Sequence, residues 1–592
     1  MAVGPRAFFY RLRSWLHRRE VHLWYDRAYR LPVTGLEAVG MEPRRADFAA
    51  FWLKESRAVA PESFRTPRRV AYADLARVHS PELLESLGRA ETLGHIFGAD
   101  PTDVPVDEVM ATVRLACGAT LEAARETLRT RRPALNLLGG FHHAAPAVAG
   151  GYCPVNDIAV AVAALRHEGF DGRVAVLDLD AHPPDGVAAC LAGDPSSWVG
   201  SLSASDWGRL EGVDEVVLPE GTGDGEYLDQ LGALIGRMPR PKLAFVIAGG
   251  DVLAGDRMGR LGLTLEGARL RDLLVAAEIE GLPAVWLPGG GYHRDAWRVL
   301  AGTGMALATG SLEPIPPGYD PLTEAFHDIA RSLSLERLGR SGEFSMADVE
   351  EDLGLRPTRQ LLLGYYTASG MEYAFHSYGI FEMLQRLGYA HFRVEFDVAG
   401  PGERVRVFGE AGGEEHLLVE AILERRRVAG HGALYVHWLT LRHPRARFSE
   451  RRPQLPGQDV PGLGLAREAG EMLALMALRL GLAAVVFRPA HYPTAYVGRH
   501  YFAFVDPARQ GRFEALVRDL SGLSLMEATQ AIDEGRVLLD GQPYRWEADE
   551  MAFWLAESPA EPGEVAHERD RVRFSVGPGE AATAMRIMDS PR

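Results

Sequence analysis

The chain has 592 residues, long enough for several domains, and is 47% hydrophobic and 24% charged, the balance of an ordinary globular protein. A formal net charge of −16 argues against a bulk nucleic-acid binder, which needs a basic footprint, and allows cationic ligands to be attracted. Only Lys54 and Lys242 among the 64 basic residues are lysines, which excludes a GxxxxGK[ST] phosphate loop and nearly excludes a lysine nucleophile.

Cys117, Cys153 and Cys190 are too few for a disulfide framework, so a reducing, cytoplasmic setting is expected. No apolar run approaches the roughly 18 residues of a membrane span, so no integral membrane segment is expected. Residues 1–19 carry Arg6, Arg11, Arg13, Arg18 and Arg19 with no acid before Glu20, a pattern that predicts a solvated basic segment rather than a secretory signal.

Over residues 20–310, short β-rich runs alternate with helical stretches. The runs include Ala134–Leu138, Val174–Leu177, Leu243–Ala248 and Pro283–Leu287; the helices include Asp157–Glu168 and Leu265–Glu280. Such alternation predicts a mostly parallel α/β sheet flanked by helices. Residues 311–358 read as a connector, with Glu313–Pro321 a Pro/Gly-rich linker and helices after it. Residues 359–558 read as α+β: a strand at Leu361–Tyr366, a helix at Met371–Leu387, then strands at Phe392–Val398, Val405–Gly409, Leu417–Arg427 and Ala433–Leu441. A helix at Ala466–Leu480 and a strand at Ala484–Phe487 follow. Residues 559–592 read as a poorly ordered tail.

What ends the first-domain strands carries the chemistry. Ala134–Leu138 runs into Gly139-Gly140-Phe141-His142-His143, and Val174–Leu177 into Asp178-Leu179-Asp180-Ala181-His182. Leu243–Ala248 runs into Gly249-Gly250-Asp251, and Pro283–Leu287 into Pro288-Gly289-Gly290-Gly291-Tyr292. Ligands of open parallel sheets bind at strand carboxyl ends, so these residues are expected in one crevice. Asp178, Asp180 and His182 are two apart and, if extended, project to one side. Buried carboxylates need a counter-charge, and Asp180, His182 and Asp251 make an oxygen- and nitrogen-rich set suited to catalytic zinc, with Fe2+ or another divalent ion as alternatives. The plainer reading is a salt-bridged strand end. Tandem histidines offer an acid and a base near neutral pH, Asp178 and Asp185 can fix their tautomers, and Tyr292 can face an oxyanion. Together these are the parts of metal-assisted amide hydrolysis. Cys153 is most simply a small buried residue.

These stretches resemble the histone deacetylase family with its acetoin-utilisation and acetylpolyamine-amidohydrolase relatives, whose fold is arginase/deacetylase-like. The matching segments are Gly139–Ala144, Gly151-Tyr-Cys-Pro-Val-Asn-Asp157, Asp178–Gly186, Ser201-Leu202, Gly250-Asp251 and Gly289–Tyr292, with Val78–Leu87, Leu261–Thr264 and Arg271-Asp272. The pairing of GGFHH with DLDAH looks closest to the class IV branch. The resemblance implies Zn2+ on Asp180, His182 and Asp251, His142 paired with Asp178, and His143 paired with Asp185 as general base and acid. It implies that Tyr292 polarises the substrate carbonyl and that Gly151, Tyr152, Trp207 and Gly290 border the substrate. A structural K+ near the carbonyls of Asp178, Asp180, His182 and Leu202 is implied too. The implied substrate is an acylated lysine peptide or protein, or an acylpolyamine. Pro183-Pro184 departs from the family's usual His-Gly or Gln-Gly, and Ser203 stands where many relatives carry histidine. A pocket that binds with little turnover is the alternative that Pro183-Pro184 raises. Arginases place a second carboxylate where Pro184 stands.

The element order of residues 359–558 resembles the GNAT acetyltransferase fold. Gly462-Leu-Gly464 before a helix is similar to that family's pyrophosphate loop, which implies acetyl-CoA or acyl-CoA as a cofactor and an acyltransferase as a further alternative. Asp459 stands where a Gln or Arg is usual. His376, His437 and His491 read as structural or surface residues, and Tyr435, Val436 and Trp438 as sheet packing.

Overall fold

The structure, a computed structural model, describes residues 19–205, 207–339, 361–449, 453–555 and 562–577. The basic segment expected at residues 1–19 lies almost wholly outside them. The chain divides into two compact units, residues 1–322 and 323–592. No helix among the described residues is long and apolar enough to cross a membrane.

The first unit is built on eight parallel strands: β1 (His22–Trp24), β2 (Phe64–Arg65), β3 (Ala134–Asn136), β4 (Val174–Asp178), β5 (Ser197–Ser203), β6 (Val213–Val217), β7 (Leu243–Ile247) and β8 (Ala284–Leu287). Their order is β2-β1-β3-β8-β7-β4-β5-β6. Every residue of β4 and β7 is buried, as a parallel sheet covered on both faces requires. Each large aliphatic side chain so buried contributes about 1.5–3 kcal/mol of gross stabilisation. The helices used below are α1 (Arg45–Glu55), α2 (Val106–Thr130), α3 (Asp157–His167), α4 (Asp185–Leu191), α5 (Asp224–Arg237), α6 (Leu265–Glu278) and α7 (Ala296–Thr309). Helices α2 and α3 pack on each other, while α1 packs on α7 and α6 packs on both α7 and α5.

The four strands whose ends carry the polar motifs are neighbours, β3-β8-β7-β4. Strands β8 and β7 are inserted between β3 and β4, so the chain's direction across the sheet reverses there, and a crevice opens at the carboxyl ends.

The Glu313–Pro321 stretch is not a free linker. Prolines lack N–H donors but keep their carbonyls, and the Arg298 guanidinium in α7 donates to the carbonyls of Ile315, Pro316, Pro317 and Tyr319. Arg269 donates to those of Ser311 and Glu313, and Tyr319 meets Trp52 edge to face. A helix at Pro321–Ser332 follows.

In the second unit, β9 (Ala390–Ala399), β10 (Gly402–Ala411), β11 (Glu414–Val428) and β12 (His431–Leu441) form an antiparallel meander. Helix α8 (Ala466–Arg479) crosses over to β13 (Ala484–Phe487), which is parallel to β12, and β17 (Met551–Trp554) and β14 (Ala503–Phe504) complete the sheet. The unit is α+β. Leu361–Tyr366 is not a strand. Leu363 and Gly364 take left-handed conformations, and the chain turns back to bridge Leu362 to Tyr366. The helix expected over Met371–Leu387 is two, Ala368–Ser377 and Ile380–Arg386, broken at Gly379 with φ 73°. Part of the expected tail is structured: a helix at Pro562–Arg571 is followed by a strand, β18 (Phe574–Val576), that pairs with β15 (Val537–Leu539), with Val572 and Phe574 buried. Residues 578–592 lie outside the described residues.

The long helix α2 passes hard against the chain before it at Gly118, where a Cβ would fall 1.6 Å from the carbonyl oxygen of Arg68. Because that obstacle is backbone, Gly118→Ala is expected to destabilise the chain by about 1–3 kcal/mol, read from urea unfolding of the full-length protein.

Candidate metal centre

Strand β4 ends at Asp178, and the chain then turns instead of staying extended. The Asp178 carboxylate accepts from the N–H of Asp180 (3.0 Å), and that of Asp180 from the N–H of His182 (3.0 Å), two successive side-chain turns. The expectation that all three side chains project to one side therefore fails. Asp178 faces His142, while Asp180 and His182 face Asp251.

Nδ1 of His182 lies 3.1 Å from Oδ1 of Asp180 and 2.9 Å from Oδ2 of Asp251. The three ligand atoms lie within 4.8 Å of one another and form the one such group among the described residues. Asp180 and Asp251 are fully buried. Burial, with Asp180 beside it, pushes the Asp251 carboxyl up to about 7. Burial works against Asp180 as well, but charge on His142 and the bond from His182 pull it well below the usual carboxylate range. Burial likewise opposes charge on His182, yet its two carboxylate partners raise it to about 11. Nδ1 of His182 thus sits at the focus of two buried carboxylates, a field that a divalent cation at that point would neutralise. The donor set fits zinc.

Glycine is required around these carboxylates. A Cβ on Gly290 would lie 2.9 Å from both Asp180 and Asp251, and one on Gly249 would lie 2.6 Å from Asp251. The N–H of Gly290 donates to Asp180 at 2.6 Å, and that of Ala181 to Asp251 at 3.1 Å.

The tandem histidines follow β3. Asp157, at the start of α3, accepts from the N–H groups of Gly140 and Phe141 and from the Thr120 hydroxyl, fixing the loop. His142 Nδ1 lies 2.9 Å from Asp178, and His143 Nδ1 lies 2.7 Å from Asp185. Burial opposes charge on His142, but Asp178 and Asp180 overcome it and raise the group to about 9. Burial, then the charge on His142, lowers His143 despite Asp185. Adjacent rings thus have opposite proton affinities, which separates an acid from a base.

Tyr292 follows the glycines of β8, and its N–H donates to Asp256 at 2.7 Å. Burial, Asp180 and Asp251 raise its phenol well above 10, keeping it a donor. Its ring lies 5.4 Å from that of Tyr152. Arg45 at the start of α1 donates to the carbonyls of Gly290 (2.9 Å) and Gly289 (2.8 Å), fixing this loop. Neither Arg45 nor Asp256 stands in a motif, and only their contacts in space reveal them.

Gly151, Tyr152 and Gly290 line a cavity of about 70 Å³ that also touches His143, Asp180 and Tyr292. Gly151 is flush against His143, since a Cβ there would fall 2.5 Å from its ring. Trp207 does not line the cavity. It lies across His143 (ring centroids 5.2 Å apart) and His182 (6.0 Å), half exposed. The Ser201 hydroxyl, in register with Asp178 across β4 and β5, is buried without a hydrogen-bond partner, an orphan oxygen of the kind a hard monovalent cation takes. All three cysteines are free, and burial pushes the Cys190 thiol up to about 12 and Cys153 higher.

In the second unit, Gly462 and Gly464 precede α8, with Gly464 left-handed at φ 71°. Arg442 pairs with Asp459 at 2.7 Å. The first turn of α8 holds the buried Glu468, an acid where a phosphate loop needs an open helix end.

The first unit is thus a parallel α/β protein with a buried Asp-His-Asp centre at its switch point and two His–Asp pairs beside it. The histone deacetylase domain family matches residues 40–306 and leaves the second unit unassigned. An uncharacterized protein from Picosynechococcus sp. is 30% identical over 252 residues, 41% of this chain and 83% of that one. Histone deacetylase clr6 from Schizosaccharomyces pombe is 30% identical over 285 residues, 43% of this chain and 69% of that one. Histone deacetylase 2 from Arabidopsis thaliana is 32% identical, covering 40% and 65%. A solved structure described as an HDAC homolog from Aquifex aeolicus has a TM-score of 0.43 at 24% identity, covering 52% of this chain and 88% of that one. Through its first unit, the chain belongs to the histone deacetylase family.

Replacing Asp251 by Asn removes one of the two carboxylates from the centre. Zinc content is expected to fall from one per chain to well below one, measured by elemental analysis after dialysis.

His79 supplies a pH dependence. Its Nε2 accepts from the N–H of Asn156 (2.9 Å) and its Nδ1 donates to the carbonyl of Ala145 (3.1 Å), so the ring is neutral. Burial lowers its proton affinity below 6.5. A histidine depressed in the folded state stabilises fully above its unfolded value and loses that contribution as pH falls from 6.5 through the folded value. The melting midpoint is expected to drop between pH 7 and 5, and to drop less in His79→Gln, whose amide can accept from the N–H of Asn156 without titrating.

Proposed function

We propose that the first unit is a zinc-dependent amidohydrolase that removes an acyl group from an N-acyl-lysine or N-acylpolyamine. The carrying observation is the Asp180-His182-Asp251 centre set beside two His–Asp pairs, with Asp180, His182, His142, His143 and Tyr292 lining one cavity.

Zinc held by these three residues would supply Lewis acidity at the scissile carbonyl and a place for the attacking water. His143, with Nδ1–H held by Asp185, keeps Nε2 free to take the water's proton and return it to the leaving amine. His142, charged against Asp178, stabilises negative charge developing beside it. The Tyr292 phenol donates to the carbonyl oxygen as it becomes an oxyanion. Gly151 and Tyr152 border the cavity, and Trp207 lies across the His143 and His182 rings. An orphan Ser201 hydroxyl supports a structural K+ near Asp178. The chain's net negative charge suits amines with cationic flanks.

Zinc-loaded protein is expected to hydrolyse acyl-lysine peptides in a panel running from acetyl to long-chain groups. Failure on every acyl-lysine and acylpolyamine would refute the reading. Within it, His143→Ala is expected to lower kcat about 10²–10⁴-fold and Tyr292→Phe about 10²–10³-fold, with KM changed far less.

A further inference from the structure

The two His–Asp pairs are held in place by different means. Asp178, the partner of His142, is wholly buried, so its carboxylate has nowhere else to go. Asp185, the partner of His143, has 43% of its side chain exposed. A half-exposed carboxylate is free to rotate into water, and its contact with a single partner is weak on its own. Its 2.7 Å contact with His143 must therefore be set by where the backbone puts Asp185.

That backbone is Pro183-Pro184. Pro184 has φ −83° and ψ 58°, and the N–H of Asp185 donates to the carbonyl of Pro183 at 3.0 Å. These are the angles and the bond of an inverse γ-turn centred on Pro184. A proline ring holds φ near −65°, close to what the turn needs, and the turn makes no use of the N–H that proline lacks. Pro183, standing before a proline, is confined to the extended region. Both rings are buried. The carbonyl of Pro184 then accepts from the N–H of Ala188 at 2.9 Å and opens α4. The far side of the turn is fixed as well: the N–H of Val187 donates to the carbonyl of His142 at 3.0 Å, and a Cβ on Gly186 would fall 2.4 Å from the backbone of His143.

We infer that Pro183 and Pro184 are positioning residues: their turn presets the Asp185 carboxylate against His143, doing by backbone stiffness what burial does for Asp178. They span the interval from the metal ligand His182 to Asp185, so one rigid dipeptide spaces the metal from the proton-carrying pair. The departure from the family pattern is then a means of holding the site in register rather than an impediment to turnover. The catalytic consequence rests on the amidohydrolase reading; the turn itself does not.

The test compares zinc-loaded full-length protein with Pro184→Gly and Pro184→Ala. In Pro184→Gly, amide hydrogen exchange across residues 182–191 is expected to rise about tenfold while the rest of the first unit is unchanged. In the same variant kcat on an acyl-lysine peptide is expected to fall about tenfold with KM within about twofold, and Pro184→Ala, which restores part of the backbone restriction, lies between glycine and wild type. Unchanged exchange in Pro184→Gly, or faster exchange with kcat at or above wild type, would overturn the inference. The exchange measurement needs no turnover. A wild-type protein inert toward every acylated amine would sink the proposed function, and exchange would still decide the turn.

Discussion

Three carboxylates, those of Asp178, Asp180 and Asp251, are wholly excluded from solvent at the ends of two adjacent strands. Stripping an ionised carboxylate of water costs several kcal/mol, and two unit charges about 4 Å apart repel by a further 4 kcal/mol or so at an effective dielectric near 20. Positive charge placed between them offsets this cost, alongside the rise of the Asp251 carboxyl. Two sources are built in. The His142 imidazolium neutralises Asp178, and Nδ1 of His182 sits between Asp180 and Asp251. A dication at that second point attracts each carboxylate several times more strongly than they repel one another.

The same centre sets the division of labour between the tandem histidines. Consecutive residues with rings 4.0 Å apart cannot both be readily charged. His142 lies against the carboxylates and keeps the proton. His143 lies further out, against one half-exposed acid, and releases it. The proton affinities of the two rings thus differ through position relative to a shared negative field.

Much of this site is legible in the sequence because its parts sit at strand ends. Apolar runs such as Val174–Leu177 and Leu243–Ala248 announce buried strands, and the motifs begin where the runs stop. What the sequence hides are residues acting through backbone contacts. Arg45 grips two glycine carbonyls 244 and 245 positions away, and Arg298 binds the carbonyls of a proline-rich stretch that composition presents as a free linker. Neither arginine has a pattern around it, because its partner is main chain that any sequence supplies. The local turns after Asp178 are hidden for a similar reason: period-2 spacing matches an extended strand, and only competition from the carboxylates for nearby N–H groups bends the chain. In the second unit strand positions follow from alternation, yet Leu361–Tyr366 and Met371–Leu387 fail at Gly364 and Gly379, where left-handed glycines reverse or break the chain.

The glycine pairs at 139–140, 249–250 and 289–290 have a meaning that sheet order supplies. Read along the chain, each is a flexible loop after a strand. In the fold, the three pairs terminate three consecutive strands, β3, β8 and β7, and each abuts the next. A Cβ on Gly140 would lie 3.0 Å from the nitrogen of Gly289, one on Gly289 would lie 3.4 Å from the Cα of Gly249, and one on Gly249 would lie 2.8 Å from the Cα of Asp180. Parallel strands stand about 4.8 Å apart, and turning the chain at their ends brings backbones closer still. Side chains are excluded from this row so that His142, Tyr292, Asp180 and His182, spread over 150 positions of sequence, can converge on one cavity. The glycines record which strands are neighbours, and the constraint they satisfy is crowding rather than mobility.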